Sequence, residues 1–302
     1  MGVLRLRRAQ REALTDTGLV MPATVAMITL IFAPVLIVAV LSFTDYQFGA
    51  PTLNWIGLEN YVTLFTDPLG CRAVTNTLIY VAIVVPFSIL LALLVAVGLH
   101  DLTRRAPLLS SILRASYFLP VAATLVAMAI VWQMLLHPTL GLFNNVLAVV
   151  GLPGRNWLSD RGLVLYTLAV IGIWQTVGYN MVLFLAGLAA IPQHLYDAAE
   201  VDGAGRGWDR FWTVTWPMLG PTTLFVTVVT ATNAFRVFET VATLTSGGPA
   251  FASDVLVYAM YREGFVYFKA GYSSAITMVF FVVVLVFTLL KFRVLERRVH
   301  YR

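Results

Sequence analysis

Six continuous apolar stretches constrain this chain more than any other feature. Each offers about 20 predominantly apolar residues, the length that a helix needs to cross the hydrocarbon core of a membrane. They lie roughly at residues 19–41, 77–98, 112–135, 163–188, 219–238 and 272–290. The stretches lack the short alternating segments of a membrane β-barrel. The sequence therefore predicts an all-α polytopic membrane protein with six transmembrane helices in one domain over residues 1–302.

The composition excludes a soluble enzyme and a disordered chain. Hydrophobic residues make up 59% and charged residues 12%, whereas soluble domains contain about 25% charged residues. The first apolar stretch is too long, and begins too late, for a typical cleaved signal peptide, so we expect it to remain as a span. The single cysteine, Cys71, excludes an internal disulfide, and the four widely separated histidines have no metal-ligand spacing. We expect no metal site.

The basic residues predict the orientation. Fourteen of the 20 fall on one side of the predicted spans: Arg5, Arg7, Arg8, Arg11, Arg104, Arg105, Arg114, Arg206, Arg210, Lys291, Arg293, Arg297, Arg298 and Arg302. Because basic loops stay in the cytoplasm, both termini are predicted there. This orientation also accounts for the net charge of +5 without a nucleic-acid partner.

The loop at residues 190–217 is the most informative one, and from residue 191 it reads IPQHLYDAAEVDGAGRGWDRFWTVTWP. Pro192 suits the first turn of a helix, and Gly203 suits a helix end that needs a left-handed residue. The segment between them predicts a short helix with a small-residue stripe and an acidic flank. A second short helix is predicted around 208–215. From the residues alone, an ordinary interfacial loop remains an equal alternative.

This loop resembles the Glu-Ala-Ala loop of ABC importer permeases. Asp197-Ala198-Ala199 followed by Gly203 is similar to that motif, with Asp in place of Glu. The spacing from Gly203 to Pro217 is one residue longer than the family pattern, which leaves the register of the second short helix open. Five further segments are similar to the same family: Ser42-Phe43-Thr44-Asp45-Tyr46, Gly57-Leu58-Glu59-Asn60-Tyr61, Asn76-Thr77-Leu78, Leu185-Ala186-Gly187-Leu188 and Thr245-Ser246-Gly247-Gly248-Pro249.

The resemblance implies a transport subunit rather than an enzyme. In the family the loop helix docks on an ATPase subunit and transmits its closure. The implied coupling residues are Asp197, Ala198, Ala199, Glu200, Asp202 and Gly203. No phosphate-binding loop pattern occurs in the chain, so ATP and Mg²⁺ are expected on a separate subunit and no cofactor on this one.

The implied assembly has several partners. It comprises a second, unlike permease, two ATPase copies and an extracytoplasmic solute-binding protein. The expected location is the cytoplasmic membrane of a prokaryote, in contact with lipid. Substrate is expected to pass by alternating access.

Polar side chains within spans are costly and are functional candidates. In the fifth span Thr223, Thr227, Thr230 and Asn233 recur at helical spacing, and Arg236 and Glu239 extend the stripe. The fourth span carries Gln175 and Asn180. The substrate-path candidates are Gln175, Asn180, Thr230, Asn233 and Arg236. Two alternatives stay open: threonines that only pack between helices, and an Arg236–Glu239 ion pair.

The C-terminal third indicates a substrate class only by resemblance. Tyr261-Arg262-Glu263-Gly264-Phe265 and the segment 292–301 look like the A-type permease of glycerol-3-phosphate importers. That favours glycerol-3-phosphate or a glycerophosphodiester. A di- or oligosaccharide such as maltose or trehalose is the alternative, since permeases for those sugars carry similar strings. An ion-coupled secondary transporter is the alternative of another class, although no clear inverted repeat is visible.

Overall fold

The computed structural model describes residues 19–204 and 207–296, and these form two compact units. The first unit contains residues 19–64 and 260–279, and the second contains the remaining described residues. The single-domain prediction stays a prediction. Several basic residues used to predict orientation lie outside the described residues: Arg5, Arg7, Arg8, Arg11, Arg206, Arg297, Arg298 and Arg302.

Helices account for almost all of the regular structure in the described residues. In chain order they are α1 (Leu19–Leu41), α2 (Glu59–Thr66), α3 (Pro68–Arg105), α4 (Pro107–Ala122), α5 (Leu125–Leu135), α6 (Leu142–Val149), α7 (Val164–Ala189), α8 (Gln193–Val201), α9 (207–218), α10 (Gly220–Phe235), α11 (Glu239–Leu244), α12 (Leu256–Tyr261) and α13 (Ala270–Glu296). Single π-helical turns occupy Ile28–Phe32, Phe211–Thr215 and Arg262–Val266. The only β pairing among the described residues is an isolated bridge between Thr44 and Trp55.

Five segments of the described chain are long and apolar enough to cross a membrane. They are α1, most of α3, α7, α10 together with α11, and the apolar part of α13. The pair α4 and α5 forms a sixth candidate, bent by 106°. The all-α, polytopic class predicted from the sequence is therefore confirmed, with the bent pair in the place of the third span.

The prediction of one continuous helix over 112–135 was wrong. The helix ends at Ala122, and Ala123 is extended, with φ −80° and ψ 143°. Pro120 lies two residues earlier and has no N–H to donate to the preceding turn, which weakens the helix there. Apolar composition alone does not reveal this break, because both halves remain apolar.

Helix α3 extends well beyond its predicted span of 77–98. Its 38 residues correspond to about 57 Å of helix, against a hydrocarbon core of about 30 Å. Asp67 begins the helix as N-cap, because its carboxylate accepts a hydrogen bond of 3.1 Å from the Leu69 N–H. Helix α3 is therefore longer than the apolar layer, and its last turns lie beside the 190–217 loop, where Asp101 approaches Arg210.

Helix α7 is the centre of the second unit. It packs against α3, α4 and α10, and Leu168, Met181 and Phe184 are fully buried there. Gly172 and Gly178 allow this closeness: a methyl group on Gly172 would strike the Tyr80 hydroxyl, and one on Gly178 would strike the Tyr117 carbonyl of α4. Small residues at crossings let helix backbones approach in a membrane, where burial of apolar surface gives little driving force.

The first unit is held by polar contacts around two of the motifs found in the sequence. The Asn60 side-chain amide donates to the carbonyls of Ser42 and Thr44, at 3.0 and 2.8 Å. The Ser42 and Tyr61 hydroxyls lie 2.7 Å apart. The Asp45 carboxylate accepts from the Asn54 backbone and side chain at 2.8 and 2.9 Å, and these bonds lower the pKa of Asp45. By contrast, no residue of α1 is buried.

We expect Gly178→Ala to destabilise the isolated permease. The added methyl group meets backbone rather than a mobile side chain, and overpacking of this kind costs about 1–3 kcal/mol. Gly98→Ala is the matched control, since Gly98 lies in α3 with open space around its Cα. Thermal unfolding in detergent, followed by size-exclusion chromatography, measures the difference. Equal unfolding temperatures for the two variants would contradict the close α4–α7 crossing.

Candidate functional site

The loop at residues 190–217 (the coupling loop) contains helix α8, which has a well-defined end. Pro192 is the N-cap of α8, and Asp202 is its C-cap. Gly203 follows with φ +90°, the left-handed conformation that favours glycine. The Gly203 N–H donates to the Glu200 carbonyl at 3.2 Å, and the Ala204 N–H donates to the Ala199 carbonyl at 2.8 Å. This pair of bonds is a Schellman cap, and it confirms the predicted helix end.

The exposed face of α8 carries most of the predicted coupling residues. Asp197, Ala198 and Glu200 are exposed, as are Asp202 and Gly203 beyond the helix. The predicted coupling residue Ala199 is different, because it is buried against the membrane-spanning helices. Ala199 therefore packs the helix against the spans, while Ala198 lies on the exposed surface of the helix.

Val201 is a candidate that sequence reasoning missed. It is 88% exposed at the end of α8, an unusual environment for an isolated valine on a short, otherwise polar surface. Its position three residues after Ala198 places it on the same face of the helix. The three-residue spacing between Ala198 and Val201 could have been found in the sequence. The exposed surface of α8 thus combines two small or apolar residues with an acidic rim.

Tyr196 links α8 to its neighbours through a chain of three contacts. The Tyr196 and Thr215 hydroxyls lie 3.3 Å apart in a buried contact. The Arg210 guanidinium lies 4.8 Å from the centre of the Tyr196 ring, and its Nη2 is 3.7 Å from the Asp101 carboxylate on α3. Movement of α8 is thereby linked to α9 and to the end of α3.

Helix α9 is the second short helix predicted around 208–215. It begins at residue 207 and continues to residue 218, and its turn Phe211–Thr215 is π-helical. The register of the loop relative to the family pattern stays open.

The polar stripe predicted on the fifth span divides into two parts. Thr230 is buried, and its hydroxyl donates to the Asn180 side-chain carbonyl on α7 at 3.0 Å. The Asn180 Nδ2 is buried without a hydrogen-bond partner among the described residues. Two substrate-path candidates are thus joined in a contact between α7 and α10, which also fits the helix-packing alternative for Thr230.

Asn233 and Arg236 lie on the exposed side of α10. The helix ends at Phe235, and Glu239 begins α11, so helical i to i+3 spacing does not extend from Arg236 to Glu239. No Arg236–Glu239 ion pair within 4.0 Å occurs in the described structure. The side chain of Arg236 is therefore exposed at the end of α10.

Gln175 lies half-buried on α7 beside an aromatic cluster. Trp132 meets Trp174 edge to face, with ring centres 5.3 Å apart, and stacks on Phe143 at 5.9 Å. A cavity bounded by Gln175, the two tryptophans and Thr240 has a volume of about 10 Å³, room for about one water molecule. That cavity is too small for a solute.

The fold defines the class of protein: a polytopic all-α membrane protein. A solved bacterial alginate ABC transporter, in complex with an alginate pentasaccharide-bound periplasmic protein, contains a chain that superposes with a TM-score of 0.83 at 23% identity, covering 97% of this chain and 98% of that one. The methionine ABC transporter MetNI gives a TM-score of 0.53 at 15% identity, over 76% of this chain and 96% of its own. At these identities the likeness establishes the fold.

Residues 71–301 match the family described as binding-protein-dependent transport system inner membrane component, and the chain belongs to that family. Among its curated relatives, the probable ABC transporter permease protein YurN of Bacillus subtilis is 33% identical over 90% of this chain and 92% of its own length. The sn-glycerol-3-phosphate transport system permease protein UgpA of Agrobacterium fabrum is 34% identical over 82% of this chain and 83% of its own. The chain is a transport permease subunit, as its resemblance implied.

We expect Thr230→Val to destabilise the permease more than Thr232→Val does. Thr230 supplies a hydrogen bond between helices, whereas Thr232 bonds only its own helix, at the Val228 carbonyl. Interhelical bonds of this kind contribute about 0.6–2 kcal/mol in membranes. Adding Asn180→Leu to Thr230→Val removes the stranded amide and should recover part of the loss. Unfolding temperatures of the four proteins in one detergent measure this, and equal values for both single variants would refute the role of the pair.

Proposed function

We propose that this chain is one permease of an ATP-driven importer and that both of its termini are cytoplasmic. In this orientation the coupling loop faces the cytoplasm, in accord with the basic residues near Arg105 and Arg210. The observation that carries the proposal is the exposed face of α8, closed by the Gly203 cap and anchored through Tyr196. Such a face is small, rigid and linked to several spans, as a transmitting element must be.

The proposed partners follow from the surfaces that the chain leaves uncovered. Exposed Ala198 and Val201 would dock in a cleft of an ATPase subunit, which binds ATP and Mg²⁺. Two ATPase copies, a second and unlike permease, and an extracytoplasmic solute-binding protein complete the assembly. The solved alginate transporter, which was crystallised with its periplasmic protein, supports the last of these partners.

The proposed mechanism is alternating access. Closure of the ATPase dimer would move α8, and the buried Ala199 and Tyr196 would carry this movement to the spans. A ligand can shift such an equilibrium only by its different affinity for the two states. ATP and the loaded binding protein would supply that difference from opposite sides of the membrane.

The proposed substrate is glycerol-3-phosphate or a glycerophosphodiester. Support comes from the glycerol-3-phosphate permeases among the relatives at 32–34% identity and from the exposed guanidinium of Arg236, which suits a phosphoryl group. A di- or oligosaccharide is the second candidate. Asn233 and the aromatic cluster around Trp174 favour it, because amides and ring faces bind neutral sugars.

We expect Ala198→Trp to abolish coupling while the permease still folds. Ala198 is exposed, so the larger side chain disturbs the docking surface rather than the core. The measurement is co-purification of the ATPase subunit, together with ATP hydrolysis stimulated by the loaded binding protein. Stimulation should fall to near the basal rate.

Ala148→Trp is the control, since Ala148 is also an exposed alanine on a short helix, α6. It should retain the ATPase subunit. Normal stimulation in Ala198→Trp would remove the coupling role from this face. Uptake driven by an ion gradient without the ATPase would instead identify a secondary transporter.

We expect Arg236→Gln to impair transport of an anionic substrate selectively. Loss of a charge-assisted contact to phosphate costs about 1.5–3 kcal/mol, which corresponds to about a tenfold or greater rise in KM. Reconstituted complexes are assayed with glycerol-3-phosphate, glycerophosphocholine, maltose and trehalose. A response to glycerol phosphates that weakens in the variant supports the proposal. An equal loss for charged and neutral solutes would make Arg236 structural.

A further inference from the structure

A cavity of about 380 Å³ lies between the ends of α3 and α7 and the coupling loop. Its lining includes the charged and titratable side chains Arg105, Arg210, Asp101 and His100. Tyr196 and Thr215, which anchor α8, form another part of its wall. A ligand in this cavity would therefore touch the elements that hold the coupling helix in place.

The charges around the cavity favour an anion. Arg105 is exposed and has no ion pair in the described part of the chain. Arg210 meets Asp101 through one contact of 3.7 Å, and both side chains are partly exposed, so this pair is weak. One carboxylate thus faces two guanidinium groups.

A third guanidinium lies close by in sequence. Arg114 of α4 donates to the Thr103 hydroxyl at 2.6 Å, and its Nε is buried without a hydrogen-bond partner among the described residues. No carboxylate lies within 4.0 Å of Arg114 in the described structure. The excess of positive charge therefore continues from the cavity onto the start of the bent helix pair.

Exposed aromatic and apolar side chains occur on the helices that carry two of these cations, α9 with Arg210 and α4 with Arg114. Trp208, Trp212 and Trp216 of α9 are 70%, 48% and 38% exposed, and consecutive rings lie 5.5 and 5.9 Å apart. The row ends just before α10 begins to cross the membrane. Leu108 and Leu109, three and four residues after Arg105, are also exposed.

We propose that this cavity binds the headgroup of an anionic membrane phospholipid. Arg105 and Arg210 would contact the phosphate, the tryptophan row would lie at headgroup depth, and the acyl chains would cover the exposed leucines. Basic pockets at the cytoplasmic ends of spans bind such headgroups, and tryptophan concentrates at the membrane interface. A free phosphate ion would leave the aromatic and leucine surfaces uncovered, which is why a lipid is the better occupant.

The lipid site rests on the proposed function in two respects: the assignment of the lipid to the cytoplasmic leaflet, and the effect of the lipid on ATP hydrolysis. Because Arg210 also stacks on Tyr196, a bound headgroup would hold the coupling helix in one position. Lipid composition would then set how strongly ATP hydrolysis responds to the loaded binding protein.

The first test measures bound lipid. The full transporter is reconstituted in phosphatidylcholine with phosphatidylglycerol as the minor component and then extracted, and retained lipid is counted by mass spectrometry. The wild type should retain phosphatidylglycerol selectively. Arg105→Gln/Arg210→Gln should lose about tenfold or more of that retention, since each basic residue contributes about 1 kcal/mol.

Matched variants separate the lipid site from general effects. Arg105→Lys/Arg210→Lys keeps the charge and should keep most of the retention. Arg155→Gln/Arg161→Gln removes two exposed arginines of another loop and should change nothing. The single variant Arg105→Gln, which breaks no ion pair within the described residues, replaces the double variant if the latter does not fold. Added inorganic phosphate should not displace the lipid.

The second test compares stimulated ATP hydrolysis in the two lipid mixtures. Phosphatidylglycerol should raise stimulation in the wild type and not in the double glutamine variant. Unselective lipid retention, retention unchanged by the glutamine variants, or displacement by phosphate would overturn the proposal. Loss of the ATPase subunit from the glutamine variant in both mixtures would instead make the cavity a protein interface. Selective retention without any stimulated hydrolysis would contradict the proposed function and leave the lipid site standing.

Discussion

The need to satisfy every backbone polar group within a membrane is the constraint on which this structure depends. Hydrocarbon offers no hydrogen-bond partners, so a spanning segment must be helical or enclosed by protein. The described part of the chain meets this demand with five long helices and one bent pair. The bend after Ala122 exposes a short extended stretch, which requires neighbouring helices or another subunit around it. Glycine then decides how closely the helices cross, because apolar surface gains little from leaving lipid.

The helix of the coupling loop also depends on contacts outside its own backbone. This helix is short, and an isolated helix of nine residues would be only marginally stable in water. The Schellman cap, buried Ala199 and the contact between Tyr196 and Thr215 supply the missing stability. They also leave one face of the helix exposed, with Ala198 and Val201 on it.

Polar residues in the spans serve two purposes that share one sequence pattern. Thr230 bonds Asn180 between helices, whereas Asn233 and Arg236 remain on the exposed side of α10. Thr230, Asn233 and Arg236 follow one another at the same spacing of three residues. A side chain that holds two helices together and one that meets a substrate carry the same polarity, so only the neighbouring helix distinguishes them. The tryptophans of α9 give another example, because only their exposure in the structure shows that they lie on the surface and not in the core.

The sequence by itself determined what depends on local chemistry. Apolar length located the spans, Pro192 and Gly203 bounded the coupling helix, and the motif around Asp197 indicated the family. Tertiary structure decided what depends on distant partners. It broke the third span after Ala122, turned Ala199 inward and Ala198 outward, and joined Asn180 to Thr230. Hydrophobicity and backbone preference act within a few residues, whereas burial and pairing depend on which helix lies opposite, and no single stretch of sequence contains that information.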